Sequence, residues 1–171
     1  MIIFVLQIIW LFLPAAVANM MPVFARRLPF LAQPISVKLF GDHKTWRGIF
    51  FGTLGGIVTG YGQYFFHPLT KKLALIDYPT APIFLLGFTL GASALLGDLI
   101  HSLLKRWVNI PPGKPFWVID QIDWILAAVF ALKILYDVAP EINLFAIVIF
   151  GPIHPIVSRI GYALGLKDVK Y

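Results

Sequence analysis

Residues 97–123 read GDLIHSLLKRWVNIPPGKPFWVIDQID, which sets Asp98, Lys105, Arg106, Lys114, Asp120 and Asp123 between long apolar stretches. An ionised side chain deep in a bilayer costs roughly 3 kcal/mol on insertion scales, so charges kept in such a setting point to a functional site. Asp98, His101, Ser102 and Lys105 recur at i, i+3, i+4 and i+7, a spacing that places all four on one stripe of a helix facing a common site. Asp120 and Asp123 are three residues apart and project the same way from the first turn of the next helix. Carboxylates that close repel each other unless a cation or a basic partner lies between them. The chain has no cysteine, so no thiolate is available and the carboxylates offer oxygen. Oxygen donors favour a hard ion, and Mg²⁺ is the cofactor expected at Asp98, Asp120 and Asp123, with waters and substrate phosphates completing its shell. The competing reading is structural: ion pairs of Asp98 with Lys105 and of Asp120 with Lys114 that anchor helix ends. It accounts for single pairs, but not for three acids and several bases converging on one face.

A second cluster, GDHKTWRG at 41–48, precedes another apolar run. Lys44 and Arg47, flanked by glycines and near a helix start with free backbone N–H groups, suit a phosphate. Asp42 adds a carboxylate, and Trp46 suits either the membrane interface or stacking on a base. The plainer alternative is an interfacial anchor. Neither a GxxxxGK[ST] loop nor GxGxxG is present, so the common nucleotide-binding loops are excluded. Asn19, just ahead of Pro22, is expected to face the same surface. His67 and His154 each precede a proline and read as helix ends or a kink rather than metal ligands. Ser158 and Arg159 either point into the site or snorkel to the interface.

The elements that must position these groups follow from composition. The chain is 59% hydrophobic and 13% charged, against roughly 25% charged in an average soluble domain. An all-α integral membrane protein is expected, a single domain over residues 1–171 folded as a compact bundle of about five transmembrane helices at 2–21, 48–66, 82–104, 116–136 and 142–164. Helices are required because a lone strand in lipid leaves its backbone polar groups unpaired. Ala16-Val17-Ala18 imitates a signal-peptidase site, but the first apolar run has no basic residue ahead of it and reads as a helix instead. With the N-terminus outside, eleven of the fourteen Lys and Arg residues fall on one face, which the positive-inside bias makes cytoplasmic. A multi-pass cell-membrane protein with its active site at the cytoplasmic face is therefore expected. Gly52, Gly56 and Gly60, with Gly87 and Gly91, form small-xxx-small spacings that read as packing within the chain.

The ordered set Gly97, Asp98, Ser102, Lys105, Arg106, Pro112, Gly113, Asp120 and Asp123 resembles the signature of the CTP-dependent phosphatidate cytidylyltransferases, GDLxxSxxKR, a Pro-Gly segment and DRxD. The match covers about 27 residues. Lys114, Pro115 and Phe116 replace the His-Gly-Gly of that pattern with one residue more, and Gln121 stands in place of the Arg of DRxD. These departures, the loop at 41–48 and the short chain resemble the archaeal branch, the CDP-archaeol synthases. The resemblance implies transfer of CMP from CTP to an unsaturated archaetidic acid, 2,3-bis-O-geranylgeranyl-glycerol 1-phosphate, releasing pyrophosphate. Asp98, Asp120, Asp123 and Lys114 are then the catalytic set. Asn19, Asp42, Lys44, Arg47, Ser102, Lys105, Arg106 and Gly113 are expected to bind nucleotide or lipid phosphate. The expected partners are CTP, an isoprenoid ether lipid phosphate and membrane lipid, with no nucleic acid. The rival from another class is a small cation or proton transporter using its aspartates, which needs acids at mid-membrane rather than at helix starts. The signature of CDP-alcohol phosphotransferases is absent.

Overall fold

The computed structural model describes residues 1–110, 116, 119–136 and 138–163, with the backbone alone at 154, 155 and 157–163. The described residues form five long helices, α1 (Ile2–Phe24), α3 (Trp46–Phe65), α5 (Ile83–Trp107), α6 (Ile119–Leu135) and α7 (Pro140–Ala163), with the single-turn helices α2 (Val37–Phe40) and α4 (His67–Thr70) in the first two connections. The described residues form no strand, and an isolated antiparallel bridge joins Pro34 to Thr45. The long helices coincide with the five expected segments, with boundaries moved by a few residues. α1 continues through Pro14 and Pro22 to Phe24. α6 is described from Ile119, and the Phe116 N–H ahead of it donates to the Asp120 carboxylate.

By length and apolar composition, the segment Ile2–Arg27 and α5 are each able to cross a membrane. α3 has 20 residues, about 30 Å at the helical rise, but its glycines dilute its hydropathy. Large apolar side chains point outward all along the bundle: Phe130 and Ile134 on α6 are 69% and 70% exposed. In water that surface invites aggregation; against hydrocarbon it carries no penalty.

α5 is the hub, with α3 on one side, α6 on the other and α1 lying across α3 and α5; α7 packs on α6 and α1. Phe12 of α1, Leu90 of α5, Trp124 and Ile125 of α6 and Phe150 of α7 share one core. Along the α3–α5 seam the glycines are used as expected. A Cβ on Gly56 would stand 2.6 Å from the carbonyl oxygen of Gly87 and 2.8 Å from Cα of Gly91, so the two backbones touch.

The ends of the bundle differ. At one end residues 28–47 fold back on themselves through Ile35 N–H to Lys44 O at 2.8 Å and Arg47 N–H to Leu31 O at 2.7 Å. Ser36 caps α2 and Thr45 caps α3, as their side-chain oxygens suit. At the other end the Gln7 amide donates to Lys72 O at 3.0 Å, and the fully buried Tyr78 ring lies 5.9 Å from His67. Burial raises the Tyr78 hydroxyl above its ordinary range, so it stays neutral. His67 opens α4, the helix-end role its proline foretells.

Candidate active site

The C-terminal third of α5 meets the first turn of α6 at Gly97. A Cβ there would lie 2.5 Å from the Asp123 carbonyl oxygen and 2.7 Å from the Ala127 Cβ. Only glycine admits so close an approach, which brings Asp123 within electrostatic reach of Asp98, Asp120 and Lys44. From the other side the folded-back loop delivers Lys44, whose ammonium donates to Asp98 Oδ2. The two side chains are 27% and 33% exposed. They line a pocket of about 80 Å³ together with Pro22, Thr45, Gly48 and Leu95, room for several waters.

Asp120 sits in a denser setting. Its Oδ1 is 2.6 Å from His101 Nε2 and 2.9 Å from Lys105 Nζ, and its Oδ2 is 3.2 Å from the same ammonium and accepts the Phe116 N–H. A carboxylate offers about four lone-pair positions, and these four contacts occupy them. His101 is 5% exposed and stacks on Phe116 with ring centroids 5.8 Å apart.

Among the described residues the Asp98–Lys105 pair of the structural reading gives way to two others, while its Asp120–Lys114 pair falls on a residue outside the described ones. Asp98 pairs with Lys44 of a distant loop and Asp120 with Lys105 of α5, so each pair ties separate segments together. The remaining sequence candidates divide. The Ser102 hydroxyl donates to the Asp98 carbonyl at 2.8 Å, one turn back in its own helix. Arg47 donates to the Leu28 carbonyl and Arg106 to that of Ile110, so both guanidinium groups hold backbone at this end. Asp42 is exposed and lies 3.3 Å from His43 Nε2. Asn19 is half-buried on α1. Pro112, Gly113 and Lys114 lie outside the described residues, as do the side chains of Ser158 and Arg159. Sequence reasoning placed His101 on the right stripe but gave it no role, and missed Phe116, whose backbone N–H carries no sequence signal.

Among the described residues no three His, Asp or Glu side chains stand together as a ready cation cage. The donor chemistry nonetheless fits Mg²⁺, which usually takes one or two carboxylates and completes its shell with waters and substrate phosphates. Asp98 and Asp123 are the carboxylates with capacity to spare; for Asp120 to ligate alongside them, one of its four contacts, made by three donor groups, has to open.

The CarS-like family model, CDP-archaeol synthase, matches residues 1–171. The chain belongs to the CDP-archaeol synthase family. The CDP-archaeol synthase of Pyrobaculum arsenaticum is 34% identical over 94% of this chain and 93% of its own. That of Archaeoglobus fulgidus is 31% identical over 98% of each. A solved structure of an intramembrane enzyme for archaeal membrane lipid biosynthesis superimposes with a TM-score of 0.66 at 26% identity, covering 89% of this chain and 92% of that one. Membership makes the chain a CTP-dependent nucleotidyltransferase of the membrane, and the ion-paired end of the bundle is where its charged side chains converge.

Proposed function

We propose that the chain transfers CMP from CTP to 2,3-bis-O-geranylgeranyl-glycerol 1-phosphate, giving CDP-archaeol and pyrophosphate. The observation that carries this reading is the convergence of Lys44, Asp98 and Asp123 with the Lys105–Asp120 pair at one end of an apolar bundle. A phosphate oxygen of the lipid forms a bond to the α-phosphorus of CTP, the bond from that phosphorus to the bridging oxygen breaks, and pyrophosphate departs with the electron pair. The nucleophile arrives already ionised, so the protein has mainly to align two anions and steady the charge developing on the leaving group. Asp98 and Asp123 hold Mg²⁺, which when bound supplies that charge stabilisation. Lys44, Lys105 and Lys114 face phosphate, and Arg47, Arg106 and Ser102 keep the surrounding backbone in place. Asp42 and Asn19, with Gly113 outside the described residues, are assigned in this reading to binding the nucleotide or lipid phosphate.

The five long helices all cross the bilayer in this reading, with the N-terminus outside and the site at the cytoplasmic face, where CTP is available. The basic residues Lys38, Lys44, Arg47, Lys105 and Arg106 share that end of the bundle, whereas Lys71, Lys72 and Lys133 lie towards the other, a division that supports the orientation. Asp120 and Asp123 lie in the opening turns of α6 rather than at its middle, which disfavours a transporter. Solubilised protein given labelled CTP, Mg²⁺ and the lipid phosphate should form the CDP-lipid and pyrophosphate in equal amounts. Absence of both products from folded protein, across saturated and unsaturated ether lipid phosphates, would reject the assignment. In this cysteine-free chain, single cysteines at Ser36 or Asn109 should label only from the cytoplasmic side, and one at Thr70 only from the opposite side.

A further inference from the structure

We infer that Lys44 is a built-in counter-ion that fills the cation position until a nucleotide arrives, so that divalent metal and CTP bind cooperatively. The inference deepens the proposed function and rests on its reading of Asp98 and Asp123 as the metal-holding pair. The ammonium of Lys44 donates to Asp98 and acts electrostatically on Asp123 as well. It is a single positive charge standing where a dication is expected. The Lys44 backbone is fixed, its carbonyl accepting the Ile35 N–H at 2.8 Å, and the next residue caps α3. Its long stem remains free to swing between partners.

Both members of the Lys44–Asp98 pair are about one-third exposed, so opening the pair strands no buried charge. Lys105 differs, being 13% exposed and sharing Asp120 with His101 and the Phe116 N–H. Of the two lysines, Lys44 is therefore the one built to exchange. A metal ion arriving alone must displace that ammonium into water and leave it beside a dication that repels it. A metal ion arriving with a triphosphate gives that ammonium a new anion, while Asp98 passes from one cation to the other. Metal and nucleotide then strengthen each other's binding by the same factor, as linkage requires. Removing the ammonium should tighten metal binding in the absence of nucleotide and weaken the coupling.

The test is Mn²⁺ titration of solubilised protein followed by electron paramagnetic resonance, with and without a non-hydrolysable α,β-methylene analogue of CTP. Wild type should bind Mn²⁺ weakly alone and roughly tenfold more tightly with the analogue, within the range usual for coupled sites. Lys44→Gln should bind Mn²⁺ roughly tenfold more tightly than wild type without nucleotide and gain much less from the analogue; Lys44→Arg, which keeps the charge, should behave as wild type. Equal nucleotide-free affinities in wild type and Lys44→Gln would overturn the exchange. So would a wild-type affinity indifferent to the analogue, an outcome that needs no variant to fold. If the protein instead fails to form CDP-lipid from CTP, the proposed reaction falls while the nucleotide-free titrations still decide the role of Lys44.

Discussion

Asp98 and Asp120 belong to one cluster of charges, yet they are held in opposite ways. Among the described residues Asp98 accepts from a single flexible ammonium beside a pocket, whereas Asp120 accepts from His101, from Lys105 with both oxygens and from the Phe116 N–H. An anion with spare lone pairs can take a new partner at little cost, while a saturated one can do so only by losing bonds already formed. The first arrangement suits a ligand that comes and goes. The second suits a clamp that fixes the end of α5 against the start of α6 and the chain leading into it. Two aspartates that look equivalent in sequence thus serve different physical ends.

The largest effect expected from this contrast falls on the open side. Asp98→Asn and Asp123→Asn should each lower kcat/KM by about a thousandfold or more, some 4 kcal/mol of transition-state stabilisation. Their melting temperatures should stay near wild type, since the Lys44–Asp98 pair is partly exposed and an amide at position 123 keeps an oxygen for the Trp124 N–H, which Asp123 Oδ1 accepts at 2.6 Å. Steady-state assays and thermal unfolding on the same preparations check both halves, and near-normal turnover in both variants would reject the metal assignment. Asp120→Asn should show the reverse emphasis. It leaves Lys105 facing a neutral amide in a mostly buried position, and should destabilise the fold by about 2 kcal/mol. That is less than the range for fully buried pairs because Asp120 is partly exposed. Activity lost with the melting temperature unchanged would instead place Asp120 with the ligating pair.

The same contrast marks what the sequence could disclose. Helix identity was legible because long apolar runs admit few alternatives, and all five long helices lie where hydropathy placed them. The stripe Asp98, His101 and Lys105 was legible from helical periodicity. Partner choice was not, because it depends on a tertiary event: residues 28–47 fold back and carry Lys44 to Asp98 across 54 positions of sequence. The locking of Asp120 depends on a backbone N–H, which every residue but proline possesses. Arg47 and Arg106 read as phosphate ligands from their charge, and each also donates to a backbone carbonyl within reach, which charge alone does not foretell.

Gly97 offers the smallest and most discriminating change. It stands in the phosphatidate cytidylyltransferase-like pattern beside Asp98, and its lack of a side chain lets α6 approach α5. Gly97→Ala places a methyl 2.5 Å from the Asp123 carbonyl, and Gly56→Ala places one 2.6 Å from the Gly87 carbonyl in the α3–α5 seam. The two intrusions are nearly equal, so each variant should lose about 1–3 kcal/mol of stability as overpacked seams do. Their effects on catalysis should differ, because widening the α5–α6 seam carries Asp123 away from Asp98, whereas Gly56 lies well along the bundle from the charged end. Turnover by Gly97→Ala should fall about tenfold below that of Gly56→Ala when both are assayed far below their melting temperatures, since an ångström of misplacement in a reacting constellation is felt strongly. Equal turnover in the two variants would mean that the spacing of Asp98 and Asp123 is not what the seam protects, and that the open side of the site tolerates more slack than its chemistry implies.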